Sequence, residues 1–180
     1  MATATESFSW KDLGNFELGR PNLGQTVPLF AYRLLQYTLR NVLFNAAGPE
    51  NGRRLFAKAG LLAGSEFCRN MLNRDLEINA FIAELQRVLK DNAMGILRVE
   101  QMNLEEMTFV LTIAEDLDCS GLSLKNETVC EYDEGFLAGI FTVYTGIRFS
   151  VREVDCWATG DRVCRFEIRP AGKPPSSATA

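Results

Sequence analysis

The sequence predicts an α+β fold in which about four helices pack on an antiparallel sheet of about four strands. Three features support this class. Apolar residues recur at helical spacing through the first half of the chain, and the period changes to strand-like alternation after Gly95. A further helical segment then separates two hairpin-like segments. We expect a single domain over residues 26–169, with an N-terminal arm over 1–25 and a disordered tail over 170–180.

The first half of the chain predicts three amphipathic helices. The first begins near Pro28, because proline is tolerated in the first turn of a helix, and it ends at the Gly48-Pro49 pair. The second covers about 50–72 and the third covers about 76–91. Six apolar residues share one face of the third helix: Ile78, Phe81, Ile82, Leu85, Val88 and Leu89.

The second half of the chain predicts two hairpins joined through a helix. Residues 96–102 and 107–114 alternate between apolar and polar side chains, and the link between them has hairpin length. The helix that follows begins near Cys130 and ends at Gly146, because glycine readily adopts the left-handed conformation of a helix C-terminus. Residues 147–168 then predict the closing hairpin.

Composition and charge exclude several kinds of partner. The net charge is −4, and the basic residues form no patch or stripe of the kind that a nucleic-acid site needs. No apolar segment reaches the roughly 18 residues of a spanning helix, and the polar N-terminus lacks the apolar core of a signal peptide. We therefore expect a soluble, cytoplasmic protein with no nucleic-acid partner, no transmembrane segment and reduced thiols.

The chain contains no histidine. This excludes Ser-His-Asp and Cys-His nucleophilic devices and removes the commonest general base. The sequence also has no glycine-rich phosphate loop, no dinucleotide-binding fingerprint and no iron–sulfur spacing. Catalysis by this chain alone is therefore not expected, and no residue is assigned a catalytic role.

Two cysteines near the C-terminus flank a predicted hairpin turn. A hairpin would place the side chains of Cys156 and Cys164 about 4.5–5.5 Å apart. Glu153 lies three residues before Cys156, and Cys130 begins the preceding helix. Together these four side chains would form a full tetrahedral set for zinc with no position left for water, as in structural zinc sites. Glu153 and Cys156 can converge only through a bulge or a twist at the strand end, because residues three apart on a regular strand face opposite sides.

Spacing alone leaves a second interpretation of the cysteines open, because free cysteines often fill space in a core. For Cys68 and Cys119 we favour this interpretation, since neither has a neighbouring ligand residue in the sequence. The carboxylates Glu115, Asp116 and Asp118 predict a solvated charge run rather than an acid–base cluster.

Residues 130–168 carry a recognisable pattern, CEYDEGFLAGIFTVYTGIRFSVREVDCWATGDRVCRFEI. It consists of a cysteine, a glycine-bearing apolar helix, Glu-x-x-Cys, a glycine turn and Cys-x-Phe. This pattern resembles the C-terminal half of the 4-vinyl-reductase domain family. That family includes hydrocarbon-binding proteins, the sensing domain of phenol-responsive activators and a protein of bacteriochlorophyll synthesis. In the phenol-sensing members the pattern binds zinc, which implies the ligands Cys130, Glu153, Cys156 and Cys164 here.

The resemblance also implies a ligand cavity between the helices and the sheet. The phenol sensors hold the ligand hydroxyl with a histidine and a tryptophan, so a chain without histidine should not use that device. We expect an apolar or tetrapyrrole-like ligand instead, with Arg53 and Arg54 as possible anion anchors. The candidate lining residues also occupy periodic positions typical of ordinary core: Phe56, Leu62, Phe81, Phe109, Leu111, Phe136, Ile140 and Tyr144.

Three functional hypotheses follow from these observations. The leading hypothesis is a non-catalytic, zinc-stabilised protein that holds a small apolar molecule for sensing, carriage or assembly. The second is an accessory protein or enzyme in vinyl-group reduction during the synthesis of photosynthetic chlorophyll or bacteriochlorophyll. The third is a ligand-free dimeric assembly factor. A homodimer through the first helix and the Gly60/Gly64 seam is expected, and a different protein partner is an open alternative.

Overall fold

A computed structural model describes residues 8–172 and confirms the α+β class. These residues form five α-helices and an open four-stranded antiparallel sheet, and the chain divides into two compact units between Leu55 and Phe56. In chain order the elements are α1 (Phe16–Gly19), α2 (Leu29–Ala47), α3 (Pro49–Met71), α4 (Ile78–Asp91), β1 (Ile96–Asn103), β2 (Thr108–Ala114), α5 (Glu131–Thr145), β3 (Phe149–Asp155) and β4 (Cys164–Pro170).

The first unit is dominated by α2. This helix ends at Gly48, where a φ of 81° breaks the chain direction at the predicted Gly-Pro pair. A 3-10 turn and the short α1 lie in the segment predicted to be an N-terminal arm. None of the residues of α2 is buried, and six of its large apolar side chains are exposed: Leu29, Phe30, Leu34, Leu35, Leu39 and Val42. The helix therefore presents an apolar stripe to solvent.

The sheet of the second unit has the strand order β1-β2-β4-β3. In the central pair of strands, Leu111 lies opposite Phe166 and Phe109 lies opposite Ile168. All four side chains are buried, so these cross-strand pairs form the apolar face of the sheet. The alternation in the sequence predicted this face of β2 correctly.

Two helices pack on the sheet, α4 against β1 and α5 against β3. Five of the six apolar residues predicted for the inner face of α4 are buried, and Ile78 at its start is partly exposed. The ring of Phe141 in α5 lies 4.8 Å from the ring of Phe109 in β2, measured between centroids. These contacts place the core between the helices and the apolar sheet face.

Close contact between α3 and α5 depends on glycine. Gly60 and Gly64 of α3 lie against the backbone of α5, and Gly135 and Gly139 of α5 lie against the backbone of α3. A Cβ atom at Gly64 would collide with the backbone carbonyl of Phe136, so a side chain there requires the helices to separate. The glycine seam is thus used inside the chain, and a dimer through the first helix and the Gly60/Gly64 helix stays a prediction.

The ends of the chain set limits on two predictions. Pro170 is the last residue of β4, so the predicted tail begins within a strand, and residues 173–180 lie outside the described part. Residues 1–7 of the predicted arm also lie outside it. Among residues 8–172, no helix combines the length and the hydropathy that crossing a bilayer requires.

Candidate metal centre

Four cysteines from separate segments meet in one buried cluster. Cys130 precedes α5, Cys156 follows β3 at the start of a 3-10 turn, and Cys164 is the first residue of β4. Cys119 comes from the loop between β2 and α5. The four Sγ atoms lie within 4.8 Å of one another, and each residue is at most 1% exposed. We call these four residues the cysteine cluster.

The spacing of the sulfur atoms suits a tetrahedral metal ion. The Sγ atom of Cys130 lies 3.8 Å from those of Cys156 and Cys164, and the Cys119 and Cys164 sulfurs are 3.0 Å apart. Four zinc–sulfur bonds of about 2.3 Å would place neighbouring sulfurs about 3.8 Å apart in a regular tetrahedron. All four cysteines are free thiols, the ligand type that zinc commonly takes in structural sites. The cluster therefore fits a zinc ion.

The β3–β4 hairpin contains a bulge near Glu153. The strand register shifts between Glu153 and Asp155, which is one of the two distortions that would allow Glu153 and Cys156 to converge. Glu153 is 5% exposed, and its Oε2 atom accepts a hydrogen bond of 3.2 Å from the backbone N–H of Cys130. The backbone N–H of Glu153 in turn donates to Oε1 of Glu134 at 2.7 Å. Glu153 thus lies at the edge of the cysteine cluster and bonds to the start of α5.

Cys119 was interpreted as space-filling because no ligand residue lies near it in the sequence, but in the structure its Sγ atom contacts that of Cys164. A local turn holds Cys119 in place. One carboxylate oxygen of Asp116 accepts the backbone N–H groups of Asp118 at 2.8 Å and Cys119 at 3.0 Å. Sequence reasoning missed this candidate ligand because no short motif links Cys119 to the others. The aspartate-initiated turn before it was the available signal.

The acidic segment beside Cys119 is largely buried. Glu115 is exposed, but Asp116 and Asp118 are only 3% and 2% exposed, so the prediction of a solvated charge run is wrong for these two. Asp116 and Asp133 also have ligand atoms within 4.8 Å of each other and of the Cys130 sulfur. Burial raises the pKa of Asp116 to about 6 and raises that of Asp133 well above its ordinary value. The surroundings of the cysteines therefore favour a cation.

Hydrogen bonds among the four cysteines shift their pKa values in different directions. Hydrogen bonds from Cys119, Cys130 and Cys164 lower the pKa of Cys156, and the backbone N–H of Ala158 lowers it further. Hydrogen bonds within the cluster raise the pKa of Cys130 and Cys164. Without a metal, these shifts favour the thiolate form at Cys156 over the thiolate form at Cys130 and Cys164. Because a metal binds the deprotonated form, loading the cluster must release protons.

Glu153 shares this environment. Burial raises its pKa to about 9, and the negative charge of Cys156 adds to the effect. Cys68 belongs neither to the cysteine cluster nor to the group formed by Asp116, Cys130 and Asp133. Burial raises the pKa of Cys68 to about 11. Cys68 therefore fits its interpretation as a core residue.

The eight residues proposed to line a cavity occupy different environments. Leu62 is 43% exposed on α3, and Tyr144 on α5 is partly exposed. The tyrosine ring stacks on Phe81 with centroids 3.7 Å apart and an angle of 12°, and its hydroxyl donates to the carbonyl of Leu76 at 2.8 Å. We call Phe81 and Tyr144 the aromatic pair. The other six residues of the predicted set are buried: Phe56, Phe81, Phe109, Leu111, Phe136 and Ile140.

The predicted anion anchors lie on α3 in the first unit. Arg53 is partly buried and Arg54 is exposed. Their assignment stays a prediction, as does the zinc ligand set that the sequence suggested.

The fold and the site together define an α+β domain. Its second unit contains a buried cluster of four cysteines that suits a metal ion. Residues 109–170 match the model of the 4-vinyl-reductase domain, and the predicted resemblance to that family is confirmed. The uncharacterized protein MJ1642 of Methanocaldococcus jannaschii is 26% identical over 148 residues, which cover 82% of this chain and 80% of that protein.

Two crystal structures share the fold. A vinyl-4-reductase family protein from Methanocaldococcus jannaschii has a TM-score of 0.57 and 17% identity, covering 82% of this chain and 83% of that one. The phenol-responsive sensory domain of the transcription activator PoxR, determined with phenol, has a TM-score of 0.63 and 18% identity, covering 82% and 78%. At these identities the likeness concerns the fold alone.

Proposed function

We propose that this chain is a non-catalytic, zinc-stabilised domain that binds a small apolar molecule. The observation that carries the proposal is the convergence of four cysteines within the region that matches the 4-vinyl-reductase domain. A buried set of thiols with tetrahedral spacing serves a structural ion, because it leaves no coordination position for water or substrate. Zinc would be held by Cys130, Cys156 and Cys164 and by a fourth ligand, for which the sequence suggested Glu153.

The zinc ion would connect the start of α5 to the β3–β4 hairpin. Cys130 caps α5, and Cys156 and Cys164 flank the turn of the hairpin. Elsewhere α5 is held by the glycine contacts with α3 and by apolar packing on the sheet. A metal at the cysteine cluster would thus fix the position of α5, and with it the side chains that α5 contributes to the interior.

The proposed ligand is a flat or elongated apolar molecule that binds between α4, α5 and the sheet. Support comes from the aromatic pair, which joins α4 to α5 and is partly open at Tyr144, and from the phenol bound by the sensory domain of similar fold. The absence of histidine argues against the hydroxyl recognition of phenol sensors. Ligand entry would require the aromatic pair to separate, because closely packed interiors leave little free volume.

Extraction of the purified full chain tests the ligand. The protein should be isolated under native conditions, its absorption spectrum recorded, and its organic extract analysed by mass spectrometry. An apolar compound that copurifies at near one per chain, and is lost in Phe81→Ala but retained in the exposed-site control Leu62→Gln, supports the proposal. A ligand-free protein that binds none of a panel of phenols, fatty acids and porphyrins would overturn it. Turnover of a divinyl pigment with a reductant would instead support the accessory-enzyme hypothesis.

Self-association is a second element of the proposal, carried by α2. Six large apolar side chains of this helix are exposed, including Phe30 at 71% and Leu35 at 68%. Contiguous apolar surface of this kind usually marks an interaction site. A homodimer through α2 would cover it. Sedimentation equilibrium should give a dimer for the wild type and a monomer for Phe30→Glu combined with Leu35→Glu, whereas a wild-type monomer at all concentrations would contradict it.

A further inference from the structure

We infer that Cys119 is the fourth zinc ligand, so that the ion is bound by four sulfurs and Glu153 acts as a positioning residue outside the coordination sphere. This inference rests on the proposed zinc centre and changes the ligand set that the family resemblance implies. It assigns a role to a cysteine outside the matched Cys, Glu-x-x-Cys and Cys-x-Phe pattern.

The distances favour sulfur over the carboxylate. The four sulfurs of the cysteine cluster lie within 4.8 Å of one another. Among residues 8–172, Glu153 belongs neither to this cluster nor to the group formed by Asp116, Cys130 and Asp133. The two contacts of Cys130 already have the 3.8 Å spacing of a tetrahedral edge. The 3.0 Å separation between Cys119 and Cys164 is shorter than that edge, and a rotation of one side chain can lengthen it.

Backbone hydrogen bonds fix the conformation of the loop that carries Cys119. Two backbone N–H groups bond to the Asp116 carboxylate, and the N–H of Ser120 donates to the Asp116 carbonyl at 3.2 Å. The N–H of Leu117 donates to the carbonyl of Met94 at 3.0 Å, which anchors the loop to the segment before β1. These bonds hold the Cys119 sulfur against the sulfur of Cys164 inside the cluster. The loop therefore fixes Cys119 where a fourth sulfur ligand is required.

Glu153 already has a different task. Its Oε2 atom accepts the N–H of Cys130, the residue that precedes α5, and this bond orients the Cys130 sulfur toward the cluster. Bonds of this kind from outside the coordination sphere set ligand geometry and commonly change metal affinity by roughly 10–100-fold when they are lost. Its Oε1 atom is buried and has no hydrogen-bond partner among the described residues, so this atom is the competing ligand that an experiment must distinguish.

X-ray absorption at the zinc edge of the full-length protein distinguishes the two ligand sets. The inference predicts four sulfurs at about 2.3 Å and no oxygen ligand near roughly 2.0–2.2 Å. Cys119→Ser should replace one sulfur by oxygen and weaken zinc binding by at least roughly 10-fold, as measured by competition with a chelator. Glu153→Gln should retain four sulfurs, and the control Cys68→Ala should match the wild type in both measurements.

Other results would overturn either the inference about Cys119 alone or the zinc centre as a whole. Three sulfurs and one oxygen in the wild type, with the oxygen lost in Glu153→Gln, would overturn the inference and leave the zinc centre standing. A folded protein that binds no zinc would overturn both. If Cys119→Ser does not fold, cobalt substitution of the wild type and Glu153→Gln still decides the matter. The intensity of the thiolate-to-cobalt absorption scales with the number of cysteine ligands. An intensity of four thiolates in the wild type, unchanged in Glu153→Gln, supports the inference, and an intensity of three thiolates in the wild type contradicts it.

Discussion

The two ends of α5 are held in place by different means. At its N-terminal end, Cys130 and Asp133 lie at a buried polar cluster assembled from distant parts of the sequence. At its C-terminal end, Tyr144 stacks on Phe81 and bonds to one backbone carbonyl. Between them, Gly135 and Gly139 allow the backbones of α5 and α3 to touch.

From this difference we infer that the N-terminal end of α5 contributes mainly to stability and that the C-terminal end contributes mainly to ligand recognition. The polar end depends on a few atoms whose loss leaves buried charge without compensation, so each ligand matters greatly. The aromatic end depends on many small apolar contacts, so a single change there is tolerated better and the packing can rearrange around a ligand. We therefore expect the metal end to be rigid and the aromatic end to be adaptable.

Loss of the metal should have the largest effect. Cys156→Ser removes the thiolate that accepts hydrogen bonds from the three other cysteines, so zinc should be lost. We expect the midpoint of thermal unfolding to fall by at least about 10 °C, corresponding to a few kcal/mol for a chain of this size. The control Cys68→Ala, at the lone buried cysteine, should retain zinc. Unfolding curves that coincide for wild type and Cys156→Ser would contradict the account of the polar end.

Separation of α3 from α5 should have the next largest effect. Gly64→Ala ought to destabilise the protein by roughly 1–3 kcal/mol, because the new methyl group meets the backbone of Phe136. At an exposed helix position the same change would stabilise by up to about 1 kcal/mol, so the sign is informative. Urea unfolding measures it, with Ala59→Ser on the exposed side of α3 as control. Stabilisation by Gly64→Ala would show that the helices are not in backbone contact.

The metal-free polar end should respond to pH. Burial raises the pKa of Asp116 from 3.8 to about 6, so the native state retains a proton that the unfolded chain releases in this range. The raised pKa of Glu153 and the lowered pKa of Cys156 act on the pH dependence in opposite directions and largely offset each other. The free energy of unfolding should then decrease by roughly 1–3 kcal/mol as pH rises from about 4 to 6. Denaturant titration in the presence of a chelator measures this dependence, and Asp116→Asn should flatten it. A stability that increases across this range would contradict the assigned burial.

The aromatic end should give the smallest effect. Tyr144→Phe removes the hydrogen bond to Leu76 but retains the ring that stacks on Phe81. We expect a loss of about 1 kcal/mol in the free energy of unfolding, the usual net value of one hydrogen bond. Zinc content should be unchanged, which separates this end from the other. A loss of zinc in this variant would indicate that the two ends of α5 are strongly coupled.

Periodic local patterns allowed much of the fold to be predicted. The inner face of α4 and the alternation of β2 depend on nearest neighbours along the chain, and both were predicted correctly. Convergence of Glu153 and Cys156 required a bulge or a strand-end twist, and only the structure reveals the register shift after Glu153. In contrast, the glycine seam was assigned to a dimer because a small-residue pattern does not identify its partner, which is α5 of the same chain.

The site was predictable only in part, for a related reason. Cys130, Cys156 and Cys164 belong to one recognisable pattern, and they do meet. Cys119 and the buried Asp116 come from a loop without periodicity, whose course depends on turn hydrogen bonds and on its anchor at Met94. The indole N–H of Trp157 also donates to the carbonyl of Leu122 in this same loop, a contact that no local pattern in the sequence indicates.

Native mass spectrometry of the full-length chain tests the central claim most directly. Protein produced with zinc in the medium should carry one zinc ion per chain, lose it at acidic pH as the thiolates are protonated, and regain it when zinc is added back at neutral pH. Cys156→Ser should carry none. A wild-type chain that is folded by circular dichroism but has the mass of the polypeptide alone would contradict the proposal that a metal ion closes this domain.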